Sequence, residues 1–491
     1  MNTPPPLPPG VFKTARTVLV MLAVLGVPYL SPRLRALRVV PAPWDHAAAA
    51  AEDESAPGPP APTAAPSAGE QSLPASQNTP TVNNALPVEA AETTGALPDI
   101  DPDVKATLRT VPIEDPTGHA LDAFYARLRE TDARKPGAVT RILHYGDSTI
   151  ASDYVSGTAR RRLQARFGDA GHGFILIANP WEWYFHNDVL HGSDGDWKAS
   201  KLAGPITSDG FYGLGGVSFG SYGGGSALFG TAARGDFGRK VSRFDVYYLE
   251  QPGGGDVELD VKGLPPERFS TRGEAKVSRV HSLQVPDGEA KLALHAMGGG
   301  GVRLFGVALE RDVPGVVYDA LGSHAAMAVY WQRQDRQHWH DQLALRDPAL
   351  IVFQYGTNES DLWKLDRAEY EAALAGLVDE LREAAPHASV LVVAPLDRAQ
   401  ELPGQGGKLT TKPVILDLVA IQRRVALSHG AAFWCTFDAM GGEGSMARWV
   451  KAKPQLGGGD LTHPTPLGAE VLGDMLADAI VRGYAASDAG R

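Results

Sequence analysis

The stretch Arg141-Ile-Leu-His-Tyr-Gly-Asp-Ser148 decides how this chain folds. Arg141 to Tyr145 reads as a buried strand, and Gly146 ends it. Strand-to-helix turns in an open parallel sheet place side chains at the carboxyl edge, where ligands bind, so Ser148 stands in a position suited to chemistry. The pattern recurs further along. Leu350-Ile-Val-Phe-Gln354 ends at Tyr355-Gly356, and Ser389-Val-Leu-Val-Val-Ala394 ends at Pro395. Helical periodicity runs around Leu121 to Arg129, between these strands, and over Glu470 to Val481. Such alternation predicts an α/β domain.

Between residues 191 and 312 the texture changes. Glycine clusters (Gly223 to Gly225, Gly253 to Gly255, Gly298 to Gly301) separate short alternating strands such as Arg243-Phe-Asp-Val-Tyr-Tyr248. This block reads as an all-β sandwich inserted into the α/β domain, which then comprises 105–190 and 313–491. Upstream, residues 41–104 are Ala, Pro, Ser, Thr and Glu with almost no aromatic side chains, a disordered, semi-extended tether. Residues 1–40 carry Lys13 and Arg16, an apolar run from Thr17 to Leu30, then Arg33, Arg35 and Arg38. As a helix the run would rise about 21 Å, short of the roughly 30 Å hydrocarbon core. A cleaved signal peptide and a short signal anchor both fit, and we favour the uncleaved anchor, because no small-residue cleavage site follows closely. The expectation is export to the periplasm or cell envelope, with an inner-membrane tether.

Composition excludes other classes. Hydrophobic residues are 43% and charged residues 21% of the 491, ordinary for a globular chain and wrong for wholesale disorder or a polytopic membrane protein. A net charge of −11 opposes counterion-release binding, so nucleic acid is a poor partner. The single cysteine, Cys435, can form neither an intrachain disulfide nor a cysteine-based zinc cluster.

A serine hydroxyl is a weak nucleophile until a histidine takes its proton, and the histidine needs an acceptor that fixes its tautomer. Asp460-Leu-Thr-His463 supplies base and acid at i, i+3, stiffened by Pro464 and Pro466 just before the last helix. An oxyanion needs preorganised donors; Gly356-Thr-Asn358 offers a side-chain amide, and Gly322 offers a backbone N–H. Taken singly, each motif is as well explained by an ordinary turn or cap. Their order adds weight: serine after the first strand, glycine after the inserted block, Gly-x-Asn after a middle strand, Asp-x-x-His before the final helix.

This order resembles the SGNH (GDSL-type) hydrolase superfamily. The resemblance implies a three-layer α/β/α, flavodoxin-like domain in which Ser148 is the nucleophile, His463 the base and Asp460 the triad acid, with Ser148, Gly322 and Asn358 forming the oxyanion hole. A closer likeness rests on His144-Tyr-Gly-Asp-Ser148, Asp153-Tyr154, Arg160-Arg-Arg-Leu163, Gly171-His-Gly-Phe174, Gly315-Val-Val-Tyr-Asp-Ala-Leu-Gly322 and Met440-Gly-Gly-Glu-Gly-Ser-Met446. These look like the bacterial peptidoglycan O-acetylesterase branch, whose members are exported and carry a carbohydrate-binding-module-like β-domain between the serine and glycine blocks. Two departures lie beside the acyl site. Ser148 is followed by Thr-Ile-Ala rather than His-Ile-Gln, and Gly322 by Ser-His-Ala-Ala rather than Val-Asn-Gly-Ala.

Other features carry less. Trp181-Glu-Trp-Tyr-Phe185, with His186 and His191, could stack on sugar rings, although core packing is the commoner role for such a cluster. Arg160-Arg-Arg162 reads as a solvated helix face. His338-Trp-His340 would splay its rings on a helix, so no metal is expected, and Gly404-Gln-Gly-Gly-Lys408 lacks the phosphate-loop spacing, so no cofactor is expected either. The expected activity is hydrolysis of O-acetyl esters on a cell-envelope polysaccharide, most simply O-acetylated peptidoglycan. An O-acetyltransferase with the same triad, or a non-catalytic glycan-binding protein, are the alternatives.

Overall fold

The computed structural model describes residues 99–182 and 184–489, so the N-terminal segment and nearly all of the tether lie outside the described residues. Among the described residues no helix is long and apolar enough to cross a membrane. In chain order, α1 (Asp122–Asp132) leads to β1 (Val139–Gly146), α2 (Ser148–Ala151), α3 (Tyr154–Phe167) and β2 (Gly173–Leu176). The antiparallel region follows: β3 (Val189–Asp194), β4 (Lys198–Lys201), β5 (Val217–Ser221), β6 (Ser226–Thr231), β7 (Val241–Glu250), β8 (Asp256–Val261), β9 (Glu267–Ser270), β10 (Val277–Gly288), β11 (Lys291–Gly298) and β12 (Val302–Glu310). The alternating pattern then resumes with β13 (Gly315–Gly322), α4 (Arg336–Arg346), β14 (Leu350–Gln354), α5 (Arg367–Ala384) and β15 (Ser389–Val393). A short ribbon of β16 (Ala399–Glu401) and β17 (Leu409–Thr411) follows, then α6 (Pro413–Ser428), β18 (Ala432–Trp434) and, after short helical turns, α7 (Pro466–Ala489).

The parallel sheet has the order β13-β1-β14-β15-β18. Its strands are buried on both faces, and period-two alternation sorts their side chains. Ile142, Tyr318, Val352, Leu391 and Trp434 pack with Phe124, Leu163, Phe167 and Ile480 of α1, α3 and α7. Leu143, Tyr145, Phe353, Val392 and Phe433 pack with Trp339, Leu343, Leu374 and Leu418 of α4, α5 and α6. The helices therefore cover both faces of one parallel sheet.

Two antiparallel sheets form the inserted region. One runs β10-β7-β12-β5-β4 and the other β3-β6-β11-β8-β9. Phe219, Phe244, Val246 and Leu304 from the first share one core with Phe229, Leu259, Leu292 and Leu294 from the second, as in a sandwich. β2 pairs antiparallel with β12, Phe174 opposite Ala308. The sandwich sheet thus recruits a strand from upstream of residue 191, where the glycine texture placed its start; β2 is buried throughout and shows no alternation to mark it.

The insert is fastened by charge as well as by packing. Glu310 at the end of β12 accepts from Arg141 of β1 (2.8 and 2.9 Å), from Arg243 of β7 (2.7 Å) and from Arg346 of α4, which also grips Asp319 of β13 at 2.6 and 2.8 Å. Burial pushes the Glu310 carboxyl up, but the Arg346, Arg141 and Arg243 charges outweigh it and hold the group well below the carboxylate range.

Candidate active site

Ser148 is placed by the residues around it. Gly146 leaves room for α2 to fold back on the strand end, since a Cβ there would lie 2.4 Å from Ile150 Cγ1. Asp147 caps α2, its carboxylate accepting the Thr149 N–H at 3.0 Å. The Ser148 N–H, first in the helix, has no partner among the described residues.

Some 315 residues on, a tight loop presents the base. Asp460 Oδ1 accepts the N–H groups of Thr462 and His463, each at 3.0 Å, and Gly458 N–H closes the turn on His463 O at 2.7 Å. Leu461 sits at φ +62° to make this possible. The result is a continuous chain: Ser148 Oγ to His463 Nε2 at 2.7 Å, and His463 Nδ1 to Asp460 Oδ2 at 2.6 Å. Burial works to raise the Asp460 carboxyl, but hydrogen bonds from the His463 side chain and from backbone N–H groups outweigh it and leave the pKa below the ordinary value. The side chains of His463 and Asp460 are 40% and 52% exposed, so the site is shallow and open.

Asn358 follows Gly356, which takes φ +128° at the end of β14. Asn358 Nδ2 donates one hydrogen to Ala326 O at 2.8 Å, and an amide has a second to give. Gly322 meets the site differently from the sequence expectation. Ser323 N–H donates to Gly146 O at 2.9 Å, so by the alternation of the parallel ladder the Gly322 N–H faces the other edge of β13, away from β1. What position 322 requires is the absence of a side chain, because a Cβ would fall 2.1 Å from Ala151 N of α2. In the loop beyond it, Ser323 N–H and Ala326 N–H are both committed to carbonyls. The Ala325 N–H is bonded to no described residue, and Ala325 is held at φ +57°, a conformation that costs a non-glycine residue energy. His324 of this loop is drawn below the usual imidazole value by burial first, then by the charges of His463 and Lys201, the latter at the end of β4.

Most of the other sequence candidates are engaged in packing or hydrogen bonds, and Trp183 lies outside the described residues. His144 bridges Tyr318 Oη (2.8 Å) and Gln354 Oε1 (2.9 Å) across three strands, and burial lowers it to about 4. Tyr184 is buried in the sandwich core and Trp181 packs against it, while Phe185 is 48% exposed beside Tyr154. Arg160 is not on a solvated face: it is 1% exposed and grips Asp153 with both terminal nitrogens, because α3 packs its first turns inward. His338 bonds Ser278 and Tyr212, and His340 bonds Glu380, so their rings do diverge. Asp153, His172 and His186 bring ligand atoms within 4.8 Å of one another. Yet the Asp153 carboxylate already accepts from Ser156, twice from Arg160 and from Asn187 N–H at 2.7 to 3.1 Å. With its lone pairs filled and a guanidinium supplying the positive charge, this trio is a poor cation site. Not singled out by the sequence reading were Ala325, Thr462 inside the Asp460–His463 turn, and Arg398, which donates to Thr462 Oγ1 at 2.8 Å. The only signal Arg398 gave was its place just past a strand end.

Residues 295–471 match the GDSL-like Lipase/Acylhydrolase family. A solved peptidoglycan O-acetylesterase structure, captured in action at 5 min, superposes with a TM-score of 0.64 at 25% identity, covering 76% of this chain and 99% of that one. A family two carbohydrate esterase from Cellvibrio japonicus reaches only 0.26 at 13% identity, covering 63% of this chain and 97% of that one, too low to weigh. No curated protein matches. The family match over residues 295–471 and the superposition support an ester hydrolase similar to the GDSL-like acylhydrolases. Over nearly the whole of that structure, the chain is similar to a peptidoglycan O-acetylesterase.

Proposed function

We propose that this protein is an exported serine esterase that removes O-acetyl groups from a cell-envelope polysaccharide, O-acetylated peptidoglycan being the substrate we favour. The observation that carries the proposal is the unbroken hydrogen-bonded chain from Ser148 through His463 to Asp460, lying open at the carboxyl edge of the sheet. A shallow, half-exposed site suits a small acyl group borne on a bulky polymer better than it suits a long acyl chain, which would need a deep apolar pocket. The likeness to a peptidoglycan O-acetylesterase over 99% of its length supports the choice of polymer. Export rests on the apolar run from Thr17 to Leu30 between basic residues.

In this mechanism Ser148 Oγ attacks the acetyl carbonyl as His463 Nε2 takes its proton, and Asp460 accepts from Nδ1–H and steadies the imidazolium. The oxyanion receives the Ser148 N–H and the second Asn358 amide hydrogen. We give the remaining backbone donor to Ala325 in place of Gly322, whose N–H faces away. His463 returns the proton to the departing sugar oxygen. Water, deprotonated by the same imidazole, then releases acetate from Ser148.

The test offers the full chain O-acetylated peptidoglycan, an O-acetylated xylan and a short aryl acetate, and measures acetate. Release from peptidoglycan that vanishes in Ser148→Ala supports both chemistry and substrate. Hydrolysis of the aryl ester alone keeps the esterase and discards the polymer. Acetyl groups that pass to an added glycan instead would make the protein a transferase.

A further inference from the structure

We infer that Arg398 is a positioning residue for the reaction, a clamp that holds the loop carrying Asn358 and the loop carrying His463 at a fixed separation. The inference rests on the triad reading above. Arg398 lies just past β15 with its side chain about one-tenth exposed. Nη1 donates to the carbonyl of Thr357 at 2.8 Å and to Ser360 Oγ, and pairs with Asp361 Oδ2 at 2.9 Å. The other edge of the fork serves the second loop: Nη2 and Nε both donate to Thr462 Oγ1, at 2.8 and 3.2 Å.

Thr357 precedes Asn358, and Thr462 precedes His463. One planar guanidinium therefore touches the residue next to the oxyanion amide and the residue next to the base. Thr462 Oγ1, having accepted from the cation, donates its own proton to Asp460 O at 3.1 Å, inside the turn that aims the carboxylate. The backbone ties this segment to the second loop, with Ala399 N–H on Leu461 O at 3.0 Å, while Lys412 N–H on Arg398 O at 2.8 Å holds it to the end of β17. The donors of a guanidinium have a rigid mutual geometry, so the two loops cannot drift apart without breaking several bonds in a place that little water can reach. Reacting groups misplaced by about 1 Å can lose about a hundredfold in rate.

A buried arginine could serve folding alone, and Thr462 separates the two roles. Thr462→Val keeps the shape and removes the hydroxyl, both as acceptor from Arg398 and as donor to Asp460 O, whereas Thr462→Ser keeps it. In the full chain, with aryl acetate as substrate, we expect Thr462→Val and Arg398→Lys each to lower kcat about 10- to 100-fold with KM nearly unchanged. Thr462→Ser is expected to restore kcat to within about threefold of the parent, and the Thr462→Val/Arg398→Lys double variant to be no slower than the slower single one. Thr462→Val turning over like the parent, or Thr462→Ser as slow as Thr462→Val, would overturn the clamp. Ser148→Ala run alongside tells the two failures apart: if it retains activity, the triad reading falls and the clamp falls with it. If it is dead, the Thr462 pair decides the clamp alone.

Discussion

At the scale of single residues, the site is built by what is absent as much as by what is present. Gly322 is needed because β13 ends against α2, with an added Cβ 2.1 Å from Ala151 N. Gly322→Ala should leave a folded protein about 1–3 kcal/mol less stable, the usual cost of overpacking. Because the atom it strikes belongs to the helix that begins at Ser148, kcat should fall about a hundredfold while aryl acetate still binds. Thermal melting and steady-state kinetics on one preparation check both, and an unchanged kcat would show that β13 does not position the serine. Residue identities were legible in the sequence to an uneven degree. Ser148, Asp460 and His463 stand in motifs whose chemistry demands those side chains at that spacing, and the structure brings their atoms within 2.7 Å. Ala325 could not be read, because a backbone N–H belongs to every residue but proline and its direction depends on a φ angle that sequence does not print for alanine.

At the scale of elements, the sheet edge was readable and the loops behind it were not. β14 and β15 carry the mark of a strand buried on both faces, an apolar run stopped shortly by glycine or proline; β1 carries it less cleanly, with Arg141 and His144 among its apolar residues, and the three pair in parallel. The connections beyond them are held by side chains with no periodic signature. Glu359, next to Asn358, is one: its Oε1 accepts the Ala328 N–H at 2.7 Å, tying the 3-10 turn Ala328–Arg333 to the asparagine loop. Burial, with a smaller push from Asp147, raises its carboxyl to about 7 from 4.5. The unfolded chain gives up this proton near 4.5, so between that pH and 7 the folded state holds a proton the unfolded state has lost, and stability falls as pH rises through the window. Glu359→Gln should flatten the decline in melting temperature between pH 5 and 7. A decline as steep as the parent's would mean that another group carries it.

At the scale of the whole molecule, the insert and the parallel sheet are bound through ion pairs almost out of water. Arg141 and Arg346 reach Glu310 from the α/β side, and Arg243 reaches it from within the sandwich. Removing one partner of such a network leaves buried charge uncompensated, so Glu310→Gln should cost about 3–5 kcal/mol in denaturant unfolding. Glu258→Gln, which breaks the half-exposed pair with Arg268, should change stability by less than about 1 kcal/mol. Equal effects would deny the junction its part in stability. The two-part architecture was legible because glycine-punctuated, alternating segments differ from apolar runs over tens of residues. The junction was not, since Glu310, Arg141 and Arg346 lie far apart in sequence and look like any surface charges until the fold brings them together.

The most direct measurement of all is the turnover of a short aryl acetate by the parent chain, Ser148→Ala and His463→Ala, with circular dichroism on each to verify the fold. If Ser148 is the nucleophile and His463 its base, each variant folds as the parent does and loses at least about a thousandfold in kcat. A folded Ser148→Ala protein that still turns over at a substantial fraction of the parent rate would contradict that assignment and send the search for the nucleophile elsewhere on the sheet edge.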